Sequence, residues 1–183
     1  MERKDTSSLE KSNNYVINHR NNVKKAFNIL KPKLIGFQEF DKLSIDTISQ
    51  HIEEHDLSKF KPEESLPYAR FFWGIKDDNV IEEFKIATKL HKSRNPHHPE
   101  YWMNENGKTN EMPLIYIVEM VCDWWSFGLM QKKPAEIFDF YANNKEKYKF
   151  SDELTEIIES LLTLVQQSIN ELNITQTEEI FEP

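Results

Sequence analysis

The sequence predicts an all-α protein, a compact bundle of about six to seven helices. Three observations favour this class. Apolar residues recur at helical spacing along most of the 183-residue chain. Only four glycines are present, which argues against both a glycine-rich phosphate loop and an all-β architecture. Twelve Phe, six Tyr and four Trp can bury a large apolar area, so one hydrophobic core suits a chain of this length.

The first two helices are separated by a proline. Residues 12–14 (Ser-Asn-Asn) can cap a helix over about 15–30, which Pro32 ends. His19 lies between Val16 and Val23 on the apolar stripe of this helix and is expected to point inward. A second helix follows.

That second helix covers about 44–54 and is capped by Asp41 or Ser44. Its buried face is formed by Ile45, Ile48 and Ile52. His55 follows three residues after the last of these, so the pair His55-Asp56 ends the helix with its histidine on or near the buried face.

The middle of the chain combines aromatic and histidine-rich segments. Residues 62–74 form either a short helix or a loop packed over the site. Asp77-Asp78 cap a third helix over about 80–93, whose apolar stripe ends at His91. Prolines flank His97 and His98, which predicts a rigid turn over 95–102. A polar surface turn is the alternative interpretation of this pair.

Residues 113–128 are apolar on nearly all faces and predict a central, buried helix. Glu119 and Asp123 lie four residues apart in it and share one face. Burying an ionised carboxylate without a partner is costly. A metal, hydrogen-bond donors or a cation must therefore compensate them, and Arg20 or Arg94 is a candidate partner for Asp123.

Two further helices complete the predicted bundle. One runs from Pro134 to about residue 143, and the last covers about 152–172 behind a Ser151 cap. We expect a single domain over residues 1–183, with flexible ends at 1–12 and 175–183.

The bulk composition restricts partners and compartment. A net charge of −8 argues against duplex nucleic acid, because binding to the phosphate backbone requires clustered Lys and Arg. The one cysteine, Cys122, excludes an intrachain disulfide and fits a reducing compartment. The N-terminus has no apolar signal segment, and no apolar run reaches the ~20 residues of a membrane span. We expect a soluble cytoplasmic protein without a membrane partner, and the oligomeric state stays open.

The histidines and carboxylates together favour a metal site. Imidazole with carboxylate suits Mn, Fe, Co, Ni or Zn better than Ca, so we expect one or two divalent transition-metal ions. Taken alone, His19 can be a hydrogen-bonded core residue and Asp56 a turn residue. His51, four residues before His55, is expected in solvent or behind the ligands. The joint pattern favours a metal over these separate explanations.

The order His19, His55-Asp56, Asp123 resembles the H…HD…D motif of the HD superfamily of helical metal-dependent phosphohydrolases. The resemblance implies an HD-domain-like bundle with these four residues as ligands of a first metal. Some HD families, including those with an HD-GYP motif, add histidines between the pair and the last Asp to hold a second metal. The residues that resemble these additions are His91 with His98 or His97.

A finer resemblance covers about residues 15–150. The segments HDLSKF, NPHHPEYW and EMVCDWW resemble DUF5662, a family of small uncharacterised bacterial and phage proteins. In the HD-GYP proteins the pair is followed by a lysine three residues after the Asp, as Lys59 follows Asp56 here. The GYP element is absent, which does not favour a cyclic dinucleotide as substrate.

The resulting hypothesis is a metal-dependent phosphohydrolase that acts on a nucleotide or other small phosphoester through activated water. Asp56 can bridge two metals, and Lys59 can neutralise a phosphate oxygen or be a surface lysine. Glu119 can orient a ligand histidine, act as a general base or simply be a buried carboxylate. Further candidates for substrate binding are Arg94, Tyr101 and Trp102. The alternatives are an HD-type di-iron oxygenase and a non-enzymatic, metal-containing binding module.

Overall fold

The computed structural model describes residues 2–37, 42–109 and 111–178, which form an all-α bundle of seven helices. The described part of the chain contains no strand, only two isolated bridges that join Thr109 to Met103 and to Phe150. The predicted all-α class is therefore confirmed. The helices are α1 (Glu2–Leu34), α2 (Lys42–Glu54), α3 (Pro62–Trp73), α4 (Asp78–Arg94), α5 (Leu114–Met130), α6 (Glu136–Tyr148) and α7 (Asp152–Glu178).

Helix α1 is much longer than the predicted helix over 15–30. Residues 2–12, expected as a frayed lead, are helical, because the hydroxyl of Ser8 donates to the carbonyl of Trp73 at 3.1 Å and ties this end to α3. Pro32 lies in the last turn and does not end the helix. Proline cannot donate to the carbonyl four residues earlier, which costs the last turn one hydrogen bond. Leu34 beyond it is nevertheless helical and fully buried.

The other boundaries follow from caps and burial. The side chain of Asp77 accepts the N–H of Val80 at 2.9 Å, and the hydroxyl of Ser151 accepts the N–H of Leu154 at 3.3 Å, as their predicted capping roles require. Ser44 lies inside α2 and is not its cap, while Asp41 lies outside the described residues.

The last two helices extend beyond their predicted ends. Helix α6 runs to Tyr148, whose buried ring stacks on Trp124 with centroids 6.1 Å apart. Helix α7 continues to Glu178, so residues 175–178 of the predicted flexible tail are helical. Residues 179–183 lie outside the described residues.

Helix α5 is the centre of the core, as its all-round apolar pattern predicts. Every residue from 117 to 126 is buried, and α1, α2, α6 and α7 pack around it. Helix α3 packs beside α1, and α4 packs against α3. Two short 3₁₀ turns, Leu57–Phe60 and Pro99–Trp102, connect these layers. No described helix is long and apolar enough to cross a membrane.

We expect Trp125→Ala to lower the free energy of unfolding by about 3–5 kcal/mol, because its fully buried side chain would leave a cavity in the core. Urea unfolding followed by circular dichroism measures the change. Trp125→Phe keeps most of the ring and should cost clearly less. A comparable loss in Ile75→Ala, where the side chain is 80% exposed, would contradict this account of the core.

Candidate metal centre

The site lies where α1, α5 and the C-terminal ends of α2 and α4 meet. Helix α1 carries His19 on its buried face, and α5 carries Asp123 opposite it. His55 and Asp56 follow the last residue of α2. Asp56 has left-handed backbone angles (φ 57°, ψ 17°), which aspartate adopts more readily than most residues. This conformation turns the chain from α2 into the next 3₁₀ turn.

Arg20 fixes the segment that carries the His-Asp pair. Its guanidinium donates to the carbonyl of His55 at 2.7 Å and to the carbonyl of Glu53 at 2.6 Å. The proposed alternative, in which Arg20 compensates Asp123, is therefore not what the structure shows. The nearest partner of Asp123 is instead His19, whose Nε2 lies 3.1 Å from Oδ1.

The first cluster brings together His19 Nε2, His55 Nε2, Asp56 Oδ2 and Asp123 Oδ1. The two imidazole nitrogens are 3.3 Å apart. His19 lies 3.5 Å from the Asp56 oxygen, and His55 lies 3.6 Å from both carboxylate oxygens. For ligand bonds of about 2.1 Å, the edges of a tetrahedral set measure about 3.4 Å. These atoms are thus spaced as the ligands of one ion are.

The second cluster consists of Asp56 Oδ1 and the Nε2 atoms of His91, His97 and His98. His91 and His97 lie 3.2 Å and 3.6 Å from the carboxylate oxygen. All four atoms are buried, and none makes a hydrogen bond to any residue in the described part of the chain. Buried polar atoms are normally hydrogen-bonded, so these four atoms, which face one another, could hold a cation.

Buried carboxylates set the orientation of three histidine rings. Oε1 of Glu119 lies 2.8 Å from Nδ1 of His55 and 3.1 Å from Nδ1 of His97. Oε2 of Glu64 lies 2.9 Å from Nδ1 of His91. A carboxylate at Nδ1 holds the proton there and leaves Nε2 free to bind a metal.

The hydroxyl of Ser126 orients the ring of His19 in a similar way. Ser126 donates its hydroxyl hydrogen to the carbonyl of Asp123 at 2.7 Å, so its oxygen can accept from Nδ1 of His19 at 3.3 Å. All the histidines with such a partner therefore present Nε2 to the clusters. Ser126 could not be predicted from the sequence, because a single serine in an apolar helix follows no periodic pattern.

Glu64 is the other residue that sequence reasoning missed. It lies in the first turn of α3, where acidic residues are common on the surface, yet it is fully buried. Its Oε2 also accepts the hydroxyl of Ser58 at 2.9 Å, and Asn95 donates to Ser58 at 3.0 Å. Only the packing of α3 against α4 reveals this network.

Lys59 lies beside the first cluster. Its ammonium is 2.7 Å from Oδ2 of Asp56, and its side chain is 19% exposed. Burial opposes the charge, but the Asp56 carboxylate raises the pKa of Lys59, which stays an ammonium. Burial would also raise the pKa of Asp56, yet Lys59 and His55 hold that pKa well below its usual range. The lysine thus neutralises part of the carboxylate charge.

Two of the histidines, His55 and His98, have pKa shifts in opposite directions. Burial lowers the pKa of His55, but Asp56, Asp123 and Glu119 outweigh it and raise that pKa to about 10. Burial together with the nearby His97 and His91 holds the pKa of His98 well below its usual range. His98 is therefore a neutral imidazole, the form in which histidine binds metals.

The remaining predicted site residues have other contacts. Arg94 lies 2.9 Å from Glu63 and 3.5 Å from Glu64, so it supports the carboxylate behind His91. Trp102 donates its indole N–H to the carbonyl of Pro96 at 2.7 Å and thereby braces the double-histidine turn.

Tyr101 and His51, which the sequence analysis also considered, lie outside the two clusters. Tyr101 is 45% exposed, next to Trp102. His51 is partly buried and packs edge-on against Tyr116 with centroids 4.9 Å apart. His51 thus lies behind the ligands or towards solvent, in line with its expected position.

Glu64→Gln is expected to weaken metal binding about 10–100-fold, because the loss of the carboxylate at Nδ1 makes His91 a poorer and less oriented ligand. Titration of the metal-free protein with Mn²⁺ or Zn²⁺ measures the affinity. Glu63→Gln is the matched control, since Glu63 is the exposed neighbour and contacts no histidine in the described structure. Equal affinities for Glu64→Gln and the wild type would refute this role.

These observations define a class: a small helical protein with buried histidine and carboxylate groups that can hold a metal. The chain belongs to the DUF5662 family, a family of unknown function whose model matches residues 8–164. The match confirms the family resemblance drawn from the sequence motifs. No curated protein and no solved structure matched the chain. The resemblance to HD proteins therefore depends only on the order of His19, His55-Asp56 and Asp123 along the chain.

Proposed function

We propose that this protein is a dinuclear metal-dependent phosphohydrolase that acts on a nucleotide or another small phosphoester. The observation that carries the proposal is the division of Asp56 between two clusters. Its Oδ2 faces His19 and His55, while its Oδ1 faces His91 and His97. A carboxylate with one oxygen in each of two ligand sets is suited to bridge two cations, as phosphoesterase sites with paired metals require.

The donor atoms fit transition metals. Each cluster supplies imidazole nitrogens with one or two carboxylate oxygens, a combination that suits Mn, Fe, Co, Ni or Zn. Four protein atoms in each cluster would leave room on a bound ion for water and substrate. An open position distinguishes a catalytic site from a structural one.

The chain's own groups have separate tasks in this proposal. Cations bound here would lower the pKa of water and polarise a phosphoryl oxygen. Lys59 is placed to hold a phosphate oxygen beside Asp56. In hydrolysis the water oxygen bonds to phosphorus, the bond between phosphorus and the ester oxygen breaks, and a water proton passes to the departing alcohol.

Glu119 is assigned a positioning role and not that of a general base. Its Oε1 already accepts from both His55 and His97, and the residue is only 4% exposed. Arg94 and Trp102 are left out of the substrate contacts because their side chains are engaged elsewhere. The role of Tyr101 in substrate binding stays a prediction from the sequence.

The test begins with elemental analysis of the purified protein, followed by anaerobic loading with each of the five metals. A panel of nucleotides and cyclic nucleotides is then assayed. The nucleotides are tested for release of phosphate and the cyclic nucleotides for opening of the cyclic phosphodiester. We expect turnover that disappears in Asp56→Ala and persists in His51→Ala. Lys59→Gln should raise KM, because the phosphate loses its cation.

The outcomes separate the alternatives. Two bound metals without turnover of any phosphoester would contradict the proposal. Conversion that requires bound iron and O₂ would identify an oxygenase instead. Ions that exchange no water with solvent would indicate a structural centre in a binding module.

A further inference from the structure

A cavity of about 330 Å³ opens beside the first cluster. His19 and Lys59 are among the residues that line it, so the cavity adjoins the proposed catalytic centre. Its walls come from three helices, α1, α3 and α5. The side chains that form most of them are aromatic: Tyr15, Tyr68, Phe72, Trp73 and Phe127.

Three of these five aromatic side chains are exposed. Tyr15 is 41%, Phe72 54% and Phe127 38% exposed. Tyr15 and Phe72 flank Trp73, with ring centroids 6.0 Å and 5.7 Å from it. Phe127 lies 5.0 Å from the ring of His19. A cluster of exposed aromatic residues that adjoins a polar centre is typical of a binding site.

The charge of the cavity favours an anion. No acidic side chain is among the described residues that line it, and Lys59 is the one lysine or arginine there. The ammonium of Lys59 also lies 5.7 Å from the ring centre of Tyr68. The ammonium of Lys59 is paired with Asp56, so the positive charge for a phosphate would come from Lys59 together with metal ions bound at the clusters, while the walls are aromatic.

We infer that this cavity holds the aromatic part of the substrate, a phosphomonoester with one ring system such as an aryl phosphate or a mononucleotide. The inference rests on the proposed function, and it names the substrate class of that site. The phosphate lies at Lys59 and the clusters, and the ring stacks among Tyr15, Phe72 and Trp73. A volume near the lower end of ligand pockets has room for one ring system and its attached groups. Stacking accepts any planar ring, because every base has a π-face.

The test measures binding and needs no turnover. Phenylphosphonate and methylphosphonate cannot be hydrolysed as esters and differ in the ring alone. Calorimetric titration of the metal-loaded protein should show phenylphosphonate binding about tenfold tighter. Phenylphosphonate should also change the tryptophan fluorescence of the wild type, and this change should be largely lost in Trp73→Phe.

Two variants of exposed wall residues locate the ring. Tyr15→Ala and Phe72→Ala should each weaken phenylphosphonate binding about fivefold and leave methylphosphonate binding unchanged. Tyr15→Phe should bind like the wild type, because the ring and not the hydroxyl makes the contact. Phe140→Ala is the control, since Phe140 is similarly exposed (39%) but lies on α6 against Trp124.

Equal affinities for the two phosphonates would overturn the inference, as would an equal effect of Phe140→Ala. Failure of the inference and failure of the proposed function give different results. A ring preference without hydrolysis supports the cavity and contradicts the phosphohydrolase. Hydrolysis without a ring preference supports the phosphohydrolase and contradicts the role of the cavity.

Discussion

Replacement of Asp56 by alanine is expected to remove both metal ions from the protein. Asp56 is the one residue that contributes an atom to both clusters, one carboxylate oxygen to each. Substitutions that affect a single cluster should remove a single ion. His19→Ala should lose the first metal and keep the second, and His91→Ala should lose the second and keep the first.

The measurement is the metal-to-protein ratio after loading with Mn²⁺ and desalting. We expect about two ions per chain in the wild type, about one in each histidine variant and almost none in Asp56→Ala. His51→Ala is the matched histidine control and should keep both ions. Asp56→Asn tests the same point with the side-chain volume preserved. Retention of one full ion in both Asp56 variants would exclude a bridging role.

Much of the fold follows from local patterns that the structure confirms. The apolar residues around the full circumference of α5 predict a buried helix, and the helix is buried in the structure. The caps at Asp77 and Ser151 are visible in the sequence because capping is a local interaction. The length of α1 could not be predicted, since it depends on the contact between Ser8 and Trp73, which are 65 residues apart.

Some residues of the candidate site could likewise be predicted from local patterns, and others could not. The apolar stripe of α1 predicts that His19 points inward, and the shared face of Glu119 and Asp123 predicts a common buried environment. The structure places these groups within a few ångströms of one another. Glu64 was not predictable, because an acidic residue in the first turn of a helix resembles a surface residue. Its burial depends on α4, which carries His91 to it.

The aromatic cavity shows a further limit of the sequence. The sequence predicts Tyr101 and Trp102 as candidates for substrate binding. The aromatic residues that line the cavity beside the first cluster include Tyr15, Phe72 and Phe127, which lie on three different helices. No spacing along the chain brings such residues together, so only the tertiary packing identifies them.

Saturation with a divalent metal is expected to raise the melting temperature by about 5–10 °C. A ligand that binds only the folded state at about 100 times its Kd stabilises it by about 2.7 kcal/mol. Each kcal/mol shifts the melting temperature of a chain of this size by about 2–4 °C. Scanning calorimetry with and without Mn²⁺ or Zn²⁺ measures the shift. Asp56→Asn is the control, and it should show almost no shift because it holds no ion.

The metal-induced shift should also grow as the pH rises from about 6 to about 9. The pKa of His55 is raised to about 10 in the folded, metal-free protein. The protonated histidine therefore stabilises the metal-free fold fully below the unfolded pKa of about 6.5, and this contribution is lost as the pH rises through about 10. A cation requires the same imidazole in its neutral form, so protons compete with metal at low pH. A metal-induced shift that is constant or falls over this pH range would show that His55 is not a ligand, because a protonated ligand must give up its proton to the solvent before it binds the ion.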